Sequence, residues 1–270
     1  MSTPSHITVR PSAPAPTETL RNSHRVARGL LLPALALVLW EVSARLQLIP
    51  SNWLPAPSAV AATLAELSRS GELLANVQAT VTRLVLGFVL GAAIATLLGI
   101  WCGRSARLHA LLDPTLQALR SIPSLAWVPL FLLWLGIQET SKVALIAVGA
   151  FFPVYLNLHS AIRTIDRRLI EVGLMNGYRG WQLARHVLVP AALPAYLTGL
   201  RSGLGLAWMF VVAAELLGAS RGLGYLMVDG QSTSRTELVM AAILSFAVLG
   251  KLSDSLLQML EARLQPWRAN

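Results

Sequence analysis

The sequence predicts an all-α, polytopic membrane protein with six transmembrane helices. Three observations carry that reading. Of 270 residues, 54% are hydrophobic and only 13% are charged, about half the charge of an ordinary soluble domain. Mean hydropathy is +0.58. Several almost charge-free windows reach ~20 residues, the length that crosses about 30 Å of hydrocarbon. The net charge of +9 does not require a nucleic-acid partner, because surplus Arg on inner loops sets the orientation of such proteins. Cys102 is the only cysteine, which excludes an intrachain disulfide and a thiolate metal cluster.

Residues 1–28 form the expected disordered cytosolic tail: a stretch rich in Pro, Ser, Thr and Ala, then Arg21, Arg25 and Arg28. The apolar run 29–49 is the first span. Val42-Ser43-Ala44 has the small residues of a signal-peptide cleavage site, but the run continues past it and Trp40 suits a membrane interface. Residues 50–76 are an outer segment. Pro50 and Pro57 break the chain there, Ser58 is placed to cap a short amphipathic helix, and Gly71 to stop it. The second span is 77–102. Along it Gly87, Gly91, Ala95, Gly99 and Gly103 recur every fourth residue, a row of small side chains that lets helix backbones approach inside lipid.

The third span, 122–137, contains Pro123 and Pro129, and the fourth, 142–160, contains Pro153 and Asn157. Proline in a spanning helix frees a carbonyl that neighbouring protein or water must satisfy. The fifth span covers 191–217 with Gly199 and Gly203, residues 218–236 are a Gly/Ser-rich outer segment, and the sixth covers 237–257. Residues 77–258 are thus the transmembrane core, and 259–270 a cytosolic tail. Arg104, Arg107 and Arg120 mark one inner loop, and Arg163, Arg167, Arg168, Arg179 and Arg185 another. That asymmetry puts both termini in the cytosol.

The second of those loops, 161–190, is a polar island too long for a simple turn. It reads as two short helices around Gly177, which takes positive φ without cost. Asp166 caps the first helix, Gly180 lets the second leave at a new angle, and Pro190 ends it. A rigid bent knob can transmit force to a partner; an amphipathic linker lying on lipid head groups has the same composition.

The island resembles the loop by which bacterial ABC importers of the binding-protein-dependent type grip their ATPase subunits. That pattern is Glu-Ala-Ala, three residues, Gly, nine residues, then Ile-x-Leu-Pro. Glu171-Val172-Gly173, Gly177 and Val187-Leu188-Val189-Pro190 match its spacing at every anchor, with substitutions at the second, third and both aliphatic positions. The likeness runs from Trp40 to the C-terminus. Leu54-Pro55-Ala56-Pro57-Ser58, Trp134-Leu135-Gly136-Ile137 and Ala213-Ala214-Glu215-Leu216 are similar to the nitrate/sulfonate/taurine branch of these permeases. Leu249-Gly250-Lys251-Leu252-Ser253-Asp254 is most like aliphatic sulfonate permeases.

What the resemblance implies is the type I importer permease fold, working as a homodimer in the bacterial inner membrane. It implies a cytosolic ABC ATPase dimer and an external solute-binding protein as partners, with no nucleic acid and no cofactor. Glu171, Gly173, Gly177, Arg179, Trp181 and Pro190 become the ATPase-coupling residues. The implied cargo is a small anion, an aliphatic sulfonate first, with taurine, nitrate, bicarbonate or a thiamine or riboflavin precursor as alternatives. The chain lacks a Gly-x4-Gly-Lys-Ser/Thr loop, so hydrolysis is expected on another subunit.

Asn157, Arg201 and Glu215 are polar groups within or near the spans, and such groups are candidates for the translocation path. Arg201, about 15 Å from the inner end of its span, can offer its guanidinium to an oxyanion or pair with another helix or subunit. Glu215 lies about 21 Å further along and is expected as an outer-gate or binding-protein contact. Lys251 and Asp254, three apart, are expected to pair with each other. The histidines lack metal-ligand spacing and no nucleophile–base arrangement is visible, so no catalytic or metal site is expected. The rival class is a channel or secondary carrier, which would need no ATPase contact; a carrier would also usually show repeated halves, and none is seen.

Overall fold

The computed structural model describes residues 18–50, 52–123 and 126–265, with side chains from Leu31 onward. It falls into two compact units, 1–58 and 59–270. The first unit contains α1, Glu18–Arg45. The helix therefore starts within the expected disordered tail, because residues 18–28 hold no Pro or Gly to stop it; residues 1–17 lie outside the described residues. Leu31, Leu32, Leu35, Leu37, Val38 and Leu39 are each more than half exposed, an apolar surface on all sides, as suits a lipid-facing segment. Glu41 accepts from Arg45 Nε at 2.6 Å, from the Ser58 amide at 3.0 Å and from Ser58 Oγ at 2.8 Å. Ser58 thus serves Glu41 rather than capping its own helix, which opens on Pro57.

After α1 come α2 (Pro57–Arg69), α3 (Glu72–Arg104), α4 (Ala106–Ser121), α5 (Trp127–Leu135) and α6 (Glu139–Arg163). Then follow α7 (Arg167–Met175), α8 (Trp181–Leu183), α9 (Val189–Leu216), α10 (Leu223–Ser232) and α11 (Thr236–Leu264). No strand occurs among the described residues. The bundle is organised around α6. On one side the row of small residues on α3 meets it: Gly87 against Ile146, Gly91 against the Ala147 carbonyl, Gly99 against Leu158 and Gly103 against Ile162. A Cβ at Gly87 would lie 2.6 Å from Ile146 Cβ, so only glycine permits this approach. The partner numbers climb together, so α3 and α6 run in the same direction. On the other side Gly199 faces Pro153 and Asn157 while Gly203 faces Ala150 and Val154, so α9 runs antiparallel to α6.

Parallel α3 and α6 require residues 105–138 to carry the chain back. They do so in two pieces, which corrects the single span expected at 122–137. α4 packs Leu108, Leu112 and Leu116 on the cluster around Cys102 and Tyr155, although its stretch reads as a loop from its arginines. α5 is nine residues long, about 13 Å. Pro123 lies in the break between them, Pro129 falls in the first turn of α5, where no amide bond is needed, and Gly136 ends it at φ +74.

Four helical runs among the described residues are long and apolar enough to cross a membrane: α3, α6, Trp181–Leu216 and α11. In chain order, α1 and the α4–α5 pair stand where the other two spans were expected. Segment 218–236 contains α10, a helix its Gly/Ser composition did not suggest.

Candidate functional site

The elbow between α6 and α9 is built from short-range bonds. Asp166 accepts from the Arg168 amide at 2.9 Å and so caps α7. At the other end Gly177 takes φ +82. Its amide donates to the Leu174 carbonyl and the Tyr178 amide to the Gly173 carbonyl, both at 3.0 Å, which closes the helix with a left-handed glycine. Gly180 takes φ +53 and starts α8. Buried Gly173 is where the arms touch: a Cβ there would lie 2.7 Å from Leu183 Cδ1 and 2.9 Å from Val187 Cγ2. Tyr178 and His186 stack with centroids 4.9 Å apart. Arg167 and Glu171 pair at 3.3 Å. A bend bonded at its apex and packed between its arms is stiff.

Pro190 does not end the second arm as expected. The π-turn Ala184–Leu188, in which the Val189 amide reaches back to the Ala184 carbonyl, leads straight into α9. Proline has no amide to give one turn back, and the wider pairing ahead of it absorbs the missing bond. The helical run is therefore continuous from Trp181 to Leu216. Leu169, Val172, Leu174, Met175 and Trp181 leave a broad apolar surface on the knob, with Met175 87% and Trp181 76% exposed. Exposed Arg168, Arg179 and Arg185 accompany it. A patch of that kind suits contact with another protein or with a membrane surface.

Residues 95–266 match the family described as "Binding-protein-dependent transport system inner membrane component". The chain belongs to that family. It is a multi-pass membrane permease subunit. The permease is 46% identical over 241 residues to the "Putative aliphatic sulfonates transport permease protein SsuC" of Bacillus subtilis (strain 168), covering 89% of this chain and 87% of that protein. With a protein of the same name from Escherichia coli (strain K12) it shares 37% over 236 residues, 87% of this chain and 90% of the other. The "Taurine transport system permease protein TauC" of Escherichia coli (strain K12) is 34% identical over 250 residues, 91% of each chain. These matches set the permease in the sulfonate and taurine branch.

At the end of the bundle opposite the elbow, the permease holds a charge cluster that the sequence reading missed. Asn76, Thr80 and Arg83 occupy successive turns of α3. Glu215, 1% exposed, accepts from Arg83 Nη1 at 2.6 Å, Thr80 Oγ1 at 2.9 Å and the Gly224 amide at 2.8 Å. Arg83 also grips Glu139 with two nitrogens, at 2.5 and 2.8 Å, and donates to the Arg221 carbonyl at 2.6 Å. Lys142 is a second cation on Glu139, at 3.2 Å. Asn76 Oδ1 accepts from the Gly222 amide at 2.7 Å, and Thr80 Oγ1 from the Leu223 amide at 2.9 Å. Side chains of α3 and α9 thus satisfy the free amides at the start of α10, with a carboxylate at its positive end. A Cβ on Gly222 or on Gly224 would lie 2.5 Å from Glu215. Glu215 is therefore an interior anchor, and its burial leaves no side-chain surface for the binding-protein contact that was one of its two expected roles. The available signals were Arg83, the lone charge in 77–102, and the Gly222-Leu223-Gly224 triplet.

The three polar candidates are not brought together. Asn157 Nδ2 turns back to the Pro153 carbonyl at 2.8 Å. Arg201 holds Asp254 on α11 with two nitrogens, at 2.6 and 3.1 Å, and Gln258 Nε2 supports the same carboxylate at 3.1 Å. Asp254 therefore takes its ion partner from α9, not from Lys251 on its own helix.

Proposed function

We propose that this permease is the membrane half of an ATP-driven importer, with two copies forming the path. In this reading the 161–190 elbow lies in the cytosol, seated on a pair of ABC ATPases, and both termini lie on that side. An external binding protein delivers a small anion, an aliphatic sulfonate before taurine, nitrate, bicarbonate or a vitamin precursor. The observation that carries the reading is the stiff elbow running without a break into α9. Met175 and Trp181 supply apolar contact, Arg179 a charged rim, and Glu171 an exposed carboxylate beside Arg167. Gly173 and Gly177 set the bend, and Pro190 lies within the lever itself. A tilt imposed at Trp181 reaches Arg201, twenty residues on and about 30 Å away, as a rigid-body motion. Closing of the ATPase pair then rocks α9 and the helices packed on it. The names of the relatives support the sulfonate reading.

Purification in mild detergent tests the importer. The permease is expected to bring down its ATPase and raise its turnover; a chain that does neither is not the proposed subunit. Ligand binding by the partner binding protein, comparing ethanesulfonate, taurine and nitrate, tests the cargo.

A further inference from the structure

Arg201 and Asp254 form a charge pair between α9 and α11 that differs from the Arg83–Glu215 pair. The Arg83–Glu215 pair is shut away, with side-chain exposures of 7% and 0%. Arg201 and Asp254 keep 43% and 32% of their side-chain surface, although they lie deep. Arg201 stands between Gly199, which faces Pro153 and Asn157, and Gly203, which faces Ala150 and Val154. That sets it level with the middle of α6, about 14 Å from the Arg163 end and about 22 Å from the Glu139 end. The exposed positions along this face of α9 are Thr198, Ser202 and Gly205 beside Arg201, then Leu206 and Met209 further along, so the surface is polar or small only at the level of the guanidinium. Open space lies over Gly205 and Gly250. A charged face at this depth cannot rest on acyl chains; it meets water or protein.

The chemistry of the pair says what that face can do. A guanidinium fork that grips two carboxylate oxygens fits two oxygens of a sulfonate equally well. Among the described residues Gln258 is the one further side-chain donor to Asp254, so few bonds besides the fork hold the carboxylate. Lys251 lies one turn toward the Thr236 end and is exposed, and Glu261 lies two turns toward the other end. While Arg201 and Asp254 are paired their charges cancel, and releasing Asp254 leaves the guanidinium free to take another anion. We propose that Arg201 is an anion-receiving group of the translocation path and Asp254 its resident counter-charge. A monoanionic oxyanion of the sulfonate class displaces Asp254, and Asp254 recaptures the fork when the anion leaves. This rests on the importer reading above and adds to it the group that meets the cargo.

The test uses cells carrying the permease with its ATPase and binding protein, and labelled ethanesulfonate as the probe. Arg201→Gln and the double variant Arg201→Gln/Asp254→Asn are expected to lower uptake at least about tenfold. Asp254→Asn alone is expected to lower it about threefold, since nothing then displaces the departing anion. In the purified complex, phenylglyoxal should label Arg201 faster in Asp254→Asn than in the unaltered chain, and ethanesulfonate, but not choline, should slow it. A purely structural pair behaves in the opposite way. Asp254→Asn then falls as far as Arg201→Gln, the double variant recovers uptake, and ethanesulfonate gives no protection. Recovery in the double variant, or absence of protection, overturns the assignment. Failure of the unaltered permease to bring down an ATPase would instead strike the importer reading.

Discussion

Gly177 offers a way to separate the shape of the elbow from its surface. Its backbone sits at φ +82, and no atom lies within 4 Å of the place a Cβ would take. A side chain there collides with nothing in the permease, so its intramolecular cost is confined to the backbone. The left-handed region costs an ordinary L-residue roughly 1–2 kcal/mol, less for Asn and more for a β-branched residue. If the bend opens to escape that strain, the Gly177 and Tyr178 amide bonds at 3.0 Å are also lost, at about 1 kcal/mol each. With tenfold in population for about 1.4 kcal/mol, a graded series follows. Gly177→Asn should retain ATPase stimulation within about threefold, Gly177→Ala should lose about tenfold, and Gly177→Val should abolish ATPase association. All three should insert normally in the membrane. Co-purification in mild detergent, followed by ATPase turnover against permease concentration, reads each step. Normal behaviour of the Val variant would refute the reasoning. So would an Asn variant as damaged as Val, because bulk against the partner would then matter more than backbone conformation.

The elbow's surface is tested by Met175→Asp and Trp181→Ala, which should reduce ATPase stimulation without shifting the melting temperature in detergent, both side chains being exposed. A parallel drop in melting temperature would show them to be packing residues. Glu215→Gln removes one of the two carboxylates on Arg83, the Glu139 pair remaining, and weakens charge-assisted bonds worth about 1.5–3 kcal/mol; a fall in thermal stability by size-exclusion assay is expected, and unchanged stability would remove the anchor role. Gly91→Leu drives a side chain at the Ala147 carbonyl, an overpacking of about 1–3 kcal/mol, whereas Gly205→Ala enters open space and should leave melting unchanged. Equal melting of the two would contradict the proposed α3–α6 seam.

The small-residue rows were legible because the helical period puts every fourth residue on one face whatever the partner turns out to be. Gly87, Gly91, Gly99 and Gly103 all meet α6, and Gly199 and Gly203 meet its opposite side. The elbow was legible for a related reason. The bonds that close it join residues at most five apart, so the sequence that makes the bend also reveals it. Pro190 misled because a break rule for proline assumes ordinary helical pairing, and the π-turn ahead of it supplies a different one.

Hydropathy windows failed where one residue or one direction of travel mattered. Arg83 is a single charge in a long apolar stretch, and averaging hides it; its need for a partner became visible only with Glu215 and Glu139 beside it. The return crossing failed in the same way, since the α4 stretch reads as an inner loop from its arginines until the parallel course of α3 and α6 demands a link. Spacing along α11 pointed Asp254 toward Lys251, but a guanidinium delivered from α9 makes two bonds at once and prevails.

The sequence alone thus determined a helical membrane permease, its packing faces and its rigid elbow, because lipid length, helical period and turn closure are local or additive properties. Which charges meet, and which of them stay exposed, was decided by the tertiary structure. Ion pairing between helices depends on how far apart in space the fold leaves groups separated by 53 to 132 residues along the chain.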